Sequence, residues 1–226
     1  MLLLIETATK ICSVGIAHEG QLLTLQEDTE GFNHASQLTL LIQKACKASN
    51  TDLKDLDAVA VSIGPGSYTG LRIGLSTAKG ICFSLGKPLI AIDTLASLFD
   101  TSKKTYPIEN ALFVPMIDAR RMEVYTTFYN AQNEIVQNSE SLILDENSFN
   151  TYLGDYQVIV FSGDGAEKCK TLFTDTRFKF ANIRCSAANF VQLATRAFIN
   201  KDFADVAYIE PNYFKPPNIT KPKKKL

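Results

Sequence analysis

Histidine is nearly absent. Of 226 residues only His18 and His34 carry an imidazole, both in the N-terminal half. A Ser-His-Asp relay would have to recruit one of those two, which leaves serine-hydrolase chemistry without support. Gly66-Ser67-Tyr68-Thr69-Gly70 does not repair this, because its glycines do not frame the serine as a G-x-S-x-G elbow does. The cysteines lack a pattern as well: Cys12, Cys46, Cys82, Cys169 and Cys185 are odd in number and form no C-x-x-C pair. That excludes a disulfide scaffold and reads as reduced thiols, mostly small core residues, in a cytoplasmic protein. No apolar run approaches the roughly 20 residues of a membrane helix, so no membrane is expected as a partner. Met1–Ile5 is apolar but meets Glu6 at once and has no basic residue before it, so it reads as a strand rather than a signal peptide.

Charge of one sign is also lacking. The net charge is −1, so the body as a whole is not built to bind a polyanion. The balance is uneven, however. From Lys215 to Leu226 the chain holds Lys215, Lys221, Lys223, Lys224 and Lys225 and no acid, which leaves about −6 for the rest. Such a tail has the composition of a disordered, solubilising end, and a lysine cluster also suits nucleic-acid phosphate.

What is present is an ordinary globular composition, 46% apolar and 21% charged, in a chain long enough for one large domain or two lobes. The most informative stretch is Ser62-Ile63-Gly64-Pro65-Gly66-Ser67-Tyr68-Thr69-Gly70-Leu71-Arg72. It follows the apolar run Ala58–Val61 and precedes a helical pattern. Glycines, a proline and hydroxyls therefore sit at a strand-to-helix turn. Such a turn can offer backbone N–H groups to an anion, or simply pack a helix on a sheet.

Strands are expected at 2–5, 11–18, 21–26, 58–63 and 88–93. Helices are expected from His34 to about Ala48 behind an Asn33 cap, and from about Thr69 to Leu85, stopped by Gly86. Thr94 is the expected cap of a third helix. The pattern then begins again. Strands are expected at 112–118, 123–129, 134–137, 158–162 and 178–183, and helices at 145–153, just after Gly163-Asp164-Gly165-Ala166, and at 187–200. The fold class is therefore α/β, with a strand meander followed by alternating helices and strands in each half. The expected division is an N-terminal lobe at 1–104, a C-terminal lobe at 105–214 and a basic tail at 215–226.

The string GPGSYTGLR resembles the signature of the bacterial TsaB (YeaZ) family, which takes part in making threonylcarbamoyladenosine in tRNA. Further matching strings are Ile5-Glu6-Thr7-Ala8-Thr9, Ile92-Asp93-Thr94-Leu95, Asp118-Ala119-Arg120-Arg121-Met122-Glu123-Val124-Tyr125, Gly163-Asp164-Gly165-Ala166 and Pro211-Asn212-Tyr213-Phe214. The resemblance implies two similar lobes of the actin-like ATPase (ribonuclease H-like) fold, shared with sugar kinases and heat-shock 70 ATPases, each a mixed sheet with helices. It also implies a non-catalytic subunit that binds and activates a TsaD-like transferase. A TsaE-like ATPase would be the third component and tRNA the substrate of the complex. ATP and metal would belong to the partner subunits, with no cofactor bound by this chain alone.

Two departures bear on mechanism. Active members of the superfold carry an aspartate at the end of the first strand, where this chain has Glu6. The related TsaD subunit is expected to hold its metal through an H-x-x-x-H pair, whereas here His34 is followed four residues later by Leu38. His34 then reads as a capping or surface residue. Glu6, Asp93 and Asp118 each end an apolar strand, and their convergence between lobes would mark a site. The expected vestigial phosphate site comprises Glu6, Thr7, Gly64, Gly66, Ser67 and Asp118.

The expected partner surface comprises His34, Leu38, Leu41 and Ile42 on one helix and Gly70, Leu71, Gly74 and Ala78 on the other. Leu40 widens the first helix's apolar face, and Gly70, Gly74 and Ala78 form a flat stripe four residues apart. The same stripe could pair two copies of the chain when the partner is absent. The alternative function is an independent ATP-dependent kinase or carbamoyltransferase acting on a small molecule.

Overall fold

The structure, a computed structural model, describes residues 1–31 and 33–215. Beyond Lys215 the expected basic tail lies outside the described residues. Two five-stranded sheets form the frame. The first holds β1 (Leu2–Glu6), β2 (Cys12–His18), β3 (Gln21–Asp28), β4 (Ala58–Gly64) and β5 (Leu89–Asp93). Its order is β3-β2-β1-β4-β5, antiparallel among the first three and parallel from β1 to β5. The second holds β6 (Ala111–Asp118), β7 (Glu123–Asn130), β8 (Ile135–Ile143), β9 (Val158–Ser162) and β10 (Phe178–Phe180). Its order, β10-β9-β6-β7-β8, repeats the first sheet's connectivity strand for strand. The duplicated α/β pattern expected from the sequence is therefore present.

The apolar run Leu2-Leu3-Leu4-Ile5 needs no polar alternation because its sheet is covered on both faces. Leu3 and Ile5 face one cluster, with Leu38, Leu41, Ile42 and Ala45 of α1 (His34–Ala48) and Leu75, Ala78 and Cys82 of α2 (Tyr68–Leu85). Leu2 and Leu4 face the other, with Phe190, Val191 and Ala194. Burying each large aliphatic chain there contributes about 2 kcal/mol. α2 stops where the sequence said it would: Gly86 takes φ +63 and its N–H returns to the Cys82 carbonyl.

α3 (Thr94–Thr105) packs against strands of both sheets, so it joins the two halves. Phe99 stacks on Tyr129, with ring centroids 4.2 Å apart, and Leu95 and Leu98 meet Ile117 and Cys185. The second half's other core is aromatic, built from Phe128, Phe149, Phe161, Phe173 and Phe178. α4 (Val191–Asn200) returns to the first sheet, and the segment after it bridges Leu89 at Ala204.

Several local expectations are corrected. Asp93, not Thr94, caps α3, its Oδ1 accepting from the Ala96 N–H at 2.8 Å. Asn33 precedes α1 without a side-chain capping bond. Residues 145–153 form turns and a 3-10 helix rather than an α-helix. Asp145 Oδ1 accepts from the Asn147 N–H and the Ser148 hydroxyl, local bonds that compete with a helical ladder. The segment after Gly163 is also 3-10, over Asp164–Thr171, as is Ala187–Phe190 before α4. The last strand of the second sheet ends at Phe180 rather than 183.

Candidate functional site

The glycine loop between β4 and α2 is filled from within the chain. Ser67 N donates to the Ala8 carbonyl at 2.6 Å, and Ser67 Oγ caps α2 by accepting from Gly70 N at 3.2 Å. A Cβ on Gly66 would lie 2.4 Å from the Ala8 oxygen, and one on Gly64, at φ +114, would lie 2.7 Å from the Asn212 oxygen. The N–H groups of Ser67 and Gly70 are thus committed to the Thr7–Thr9 loop and to the helix cap.

The stripe Gly70, Gly74 and Ala78 faces inward. A Cβ on Gly70 would meet the Thr7 carbonyl at 2.2 Å, and one on Gly74 would meet Thr7 Oγ1 at 2.2 Å. The close approach these glycines permit is made by the chain's own first loop. Leu38, Leu41, Ile42, Leu71 and Ala78 are likewise buried in the isolated chain. His34 is neither a cap nor a surface residue. It is 8% exposed and its Nε2 donates to the Thr9 carbonyl at 2.9 Å, which ties α1 to the same loop.

Between the halves, Glu6 is fully buried at the end of β1. Its Oε1 accepts from Ala8 N at 2.6 Å and from the Ser62 hydroxyl at 2.8 Å, while Oε2 has no protein partner among the described residues. Burial pushes its carboxyl up to about 7, against those hydrogen bonds, and Asp164 across the junction adds to the rise. Asp164 in turn accepts from Asp118 N at 3.0 Å. Burial holds its carboxyl above the usual range too. Glu6 and Asp118 therefore approach one group, Asp164, while Asp93 stands apart as the α3 cap. Asp164 was not among the expected site residues, although Gly163-Asp164-Gly165-Ala166 was one of the strings that carried the family resemblance.

The outward faces of α1 and α2 carry uncovered apolar and small residues. Phe83 is 86% exposed and Leu40 47% exposed. Ser76, Gly80 and Ser84 form a second small-residue row on α2, exposed to solvent, and a Cβ on Gly80 would meet nothing within 4 Å. Grooves flank this row on both sides. One of ≈ 390 Å³ is lined by Asp52–Lys54, Ser76 and Leu85, among others, and one of ≈ 590 Å³ by Lys79, Phe83 and Asp205–Ala207. At the N-terminal end of the same face Arg72 lies 4.1 Å over the Tyr68 ring, and its Nε donates to the Tyr213 hydroxyl at 3.0 Å. Two aromatic rings thus hold an exposed guanidinium in one orientation. The spacing 76, 80, 84 was visible in the sequence, but it is as regular as 70, 74, 78, and spacing alone does not say which row faces in.

Comparison with known proteins gives three consistent results. The family described as "TsaD: tRNA N6-adenosine threonylcarbamoyltransferase" matches residues 31–221. The tRNA threonylcarbamoyladenosine biosynthesis protein TsaB of Haemophilus influenzae is 28% identical, over 95% of this chain and 93% of its own length. The protein of the same name from Bacillus subtilis is 25% identical over the same shares. Among solved structures, YeaZ from Pseudomonas aeruginosa superposes with a TM-score of 0.75 at 25% identity, covering 94% of this chain and 98% of that one.

Proposed function

The chain belongs to the TsaD-related family of tRNA N6-adenosine threonylcarbamoyltransferases, on its TsaB (YeaZ) side, and from that membership we propose that it is the non-catalytic partner that binds and activates the transferase. The residues support a subunit without its own reaction. His34 is committed to the Thr9 carbonyl, and the position four residues on is Leu38, buried in the core, so α1 presents no ligand pair. The independent-kinase alternative would use the glycine loop's donors for phosphate, and two of them, Ser67 N and Gly70 N, are satisfied inside the fold.

The observation that carries the docking proposal is the outward face of α2. A flat row, Ser76-Gly80-Ser84, runs beside Phe83 and between two grooves, with Leu40 exposed on the neighbouring α1. A helix of the transferase would lie along that row and seat apolar side chains in the grooves. Arg72 would stand at one end, preset for a carboxylate of the partner. The His34–Ile42 and Gly70–Ala78 residues expected as contacts act beneath this face, by fixing the two helices that present it. A TsaE-like ATPase, and tRNA as substrate of the whole assembly, complete the proposal, with ATP and metal held by the partner subunits. Alone, the same face would pair two copies of the chain about a two-fold axis.

Co-elution with the TsaD-like transferase of the same organism, read by size-exclusion chromatography with light scattering, tests this. Gly80→Leu adds bulk where the isolated chain has open space, and Phe83→Ser removes the exposed ring. Both variants are expected to keep the wild-type melting temperature within a few degrees and to lose co-elution. Wild-type co-elution by both would refute the surface, and two separate wild-type peaks, with and without nucleotide, would refute the partnership.

A further inference from the structure

The tip of the β6–β7 hairpin is held in a backbone conformation that its own residues disfavour. Arg120 and Arg121 sit there at φ +72 and +50, both exposed. Asparagine and glycine take left-handed backbone readily, whereas two arginines in succession keep it only where the surroundings hold them. Here Asp118 Oδ1 accepts from Arg120 N, Glu123 N donates to the Arg120 carbonyl at 3.2 Å, and Ala119 N donates to the Glu123 carbonyl at 3.1 Å. The turn thus fixes the place from which two guanidiniums project.

Among the described residues neither guanidinium joins an ion pair. The carboxylates at the base of the tip are already neutralised: Asp118 pairs with Lys168 at 2.6 Å, and Glu123 pairs with Lys215. Two apolar side chains stand beside the arginines. Met122 is 40% exposed, and Ile143, which faces Glu123 across the ladder, is 70% exposed. The Leu144 N–H donates to the Met122 carbonyl at 2.7 Å, which holds the two positions side by side.

This tip adjoins the N-terminal end of the α2 face. Tyr213 accepts from Arg72 Nε at 3.0 Å, Phe214 meets Tyr125 edge-on with ring centroids 5.5 Å apart, and Lys215 pairs with Glu123. Two chain steps span about 7 Å at most. These three consecutive contacts therefore join the start of α2 closely to the root of the hairpin. The exposed face of α2 continues past Arg72 onto the second half of the chain, where the tip is the next feature that a partner lying along Ser76-Gly80-Ser84 would meet.

We propose that Arg120, Arg121, Met122 and Ile143 form a second docking site for the transferase, taking an acidic segment of that subunit that carries an apolar side chain. This site rests on the partnership given above. Guanidiniums outside any internal ion pair call for carboxylates, which they grip in bidentate fashion. The exposed methionine and isoleucine call for an apolar side chain, and arginine with methionine is the composition of a protein interface rather than of a phosphate site. A second copy of this chain does not fit, since two-fold pairing through the tip would set four guanidiniums against one another. The tip would add charge-steered association and a fixed orientation to the apolar contact made on α2.

Affinity for the transferase is measured by calorimetry across a salt series, with melting temperatures followed in parallel. Three variants are compared with wild type: Arg120→Gln with Arg121→Gln; Arg120→Asn with Arg121→Gly; and Met122→Ser with Ile143→Thr. Each is expected to weaken binding roughly tenfold or more. The two that remove arginine are expected to flatten the salt dependence as well. Arg120→Asn with Arg121→Gly suits the left-handed backbone, so it is expected to melt at or above the wild-type temperature and still to bind more weakly. Wild-type affinity in that variant would mean that the tip is merely structural and would overturn the site. A photo-reactive benzoylphenylalanine in place of Met122, with transferase and tRNA both present, is expected to cross-link to a transferase segment that contains Asp or Glu. Cross-linking to tRNA instead, or to neither, would overturn the site, as would wild-type affinity in all three variants. Gly80→Leu separates the two readings. Its loss of binding beside wild-type binding by the tip variants removes the tip alone, whereas no binding by wild type removes the partnership and the tip together.

Discussion

Thr7 governs what Gly70 and Gly74 can be, and it does so with two different atoms. At Gly74 a Cβ collides with the Thr7 side-chain oxygen, while at Gly70 it collides with the Thr7 backbone carbonyl. Gly74→Ala is therefore expected to cost about 2–3 kcal/mol, and Thr7→Ala in the same chain to return most of it. Gly70→Ala is expected to cost at least as much and to gain nothing from Thr7→Ala. Urea denaturation of the two double-mutant cycles checks both, and equal rescue at the two positions would show that the loop moves as a unit. Glu6 gives the second prediction at this scale. Its carboxyl, at about 7 in the fold against an ordinary 4.5, binds its proton more tightly folded than unfolded. Its contribution to stability is thus full below about pH 4.5 and is lost as pH rises through 7; Asp93 and Asp164 are shifted in the same direction. Glu6→Gln is expected to exceed wild-type stability by about 2–3 kcal/mol at pH 8 and by little at pH 4.5. A difference independent of pH would mean that Glu6 is charged in the fold. The sequence marked Glu6 as a strand-end acid; only its burial beside Asp164 explains the shift.

Among the elements, α1 and α2 were legible almost residue for residue, because their apolar spacing and the Gly86 stop are encoded locally. The second half's were legible in part: the helix expected at 187–200 is there, as a 3-10 turn leading into α4, whereas the one expected at 145–153 is not α-helical. Phe149, Tyr152 and Leu153 have helical spacing, yet Asp145 and Ser148 bond their own turn, and the rings pack as part of an aromatic cluster. Which row of small residues on α2 faces in was equally hidden, since it depends on where β1 and its loop lie. Residues 205–214 lie along α2 as a strap: Lys79 Nζ donates to the Ala207 and Ile209 carbonyls at 3.1 Å each, and Asn212 N donates to the Ile63 carbonyl at 2.6 Å. Lys79→Ala is expected to speed amide exchange in the strap, by about 1 kcal/mol of local opening energy, and to leave the sheet amides unchanged. Uniform acceleration throughout the first half would show instead that the strap is part of the global folding unit.

For the whole molecule, the repeated order of the two sheets was readable as a repeated pattern of meander and alternation. The return of α4 to the first sheet was not, because an amphipathic helix declares that it has an apolar face without naming the surface that receives it. That return has a consequence in time. The chain is made from its N-terminus, and the face of the first sheet formed by Leu2, Leu4, Ala58, Ala60, Ile90 and Ile92 receives its cover only when Phe190, Val191 and Ala194 have left the ribosome. Between the completion of β5 and that moment, about a hundred further residues are added, roughly 5–20 seconds of synthesis at 5–20 residues per second. During those seconds the nascent chain shows this apolar face to solvent, which makes this interval, rather than the finished fold, the natural point for a chaperone to act.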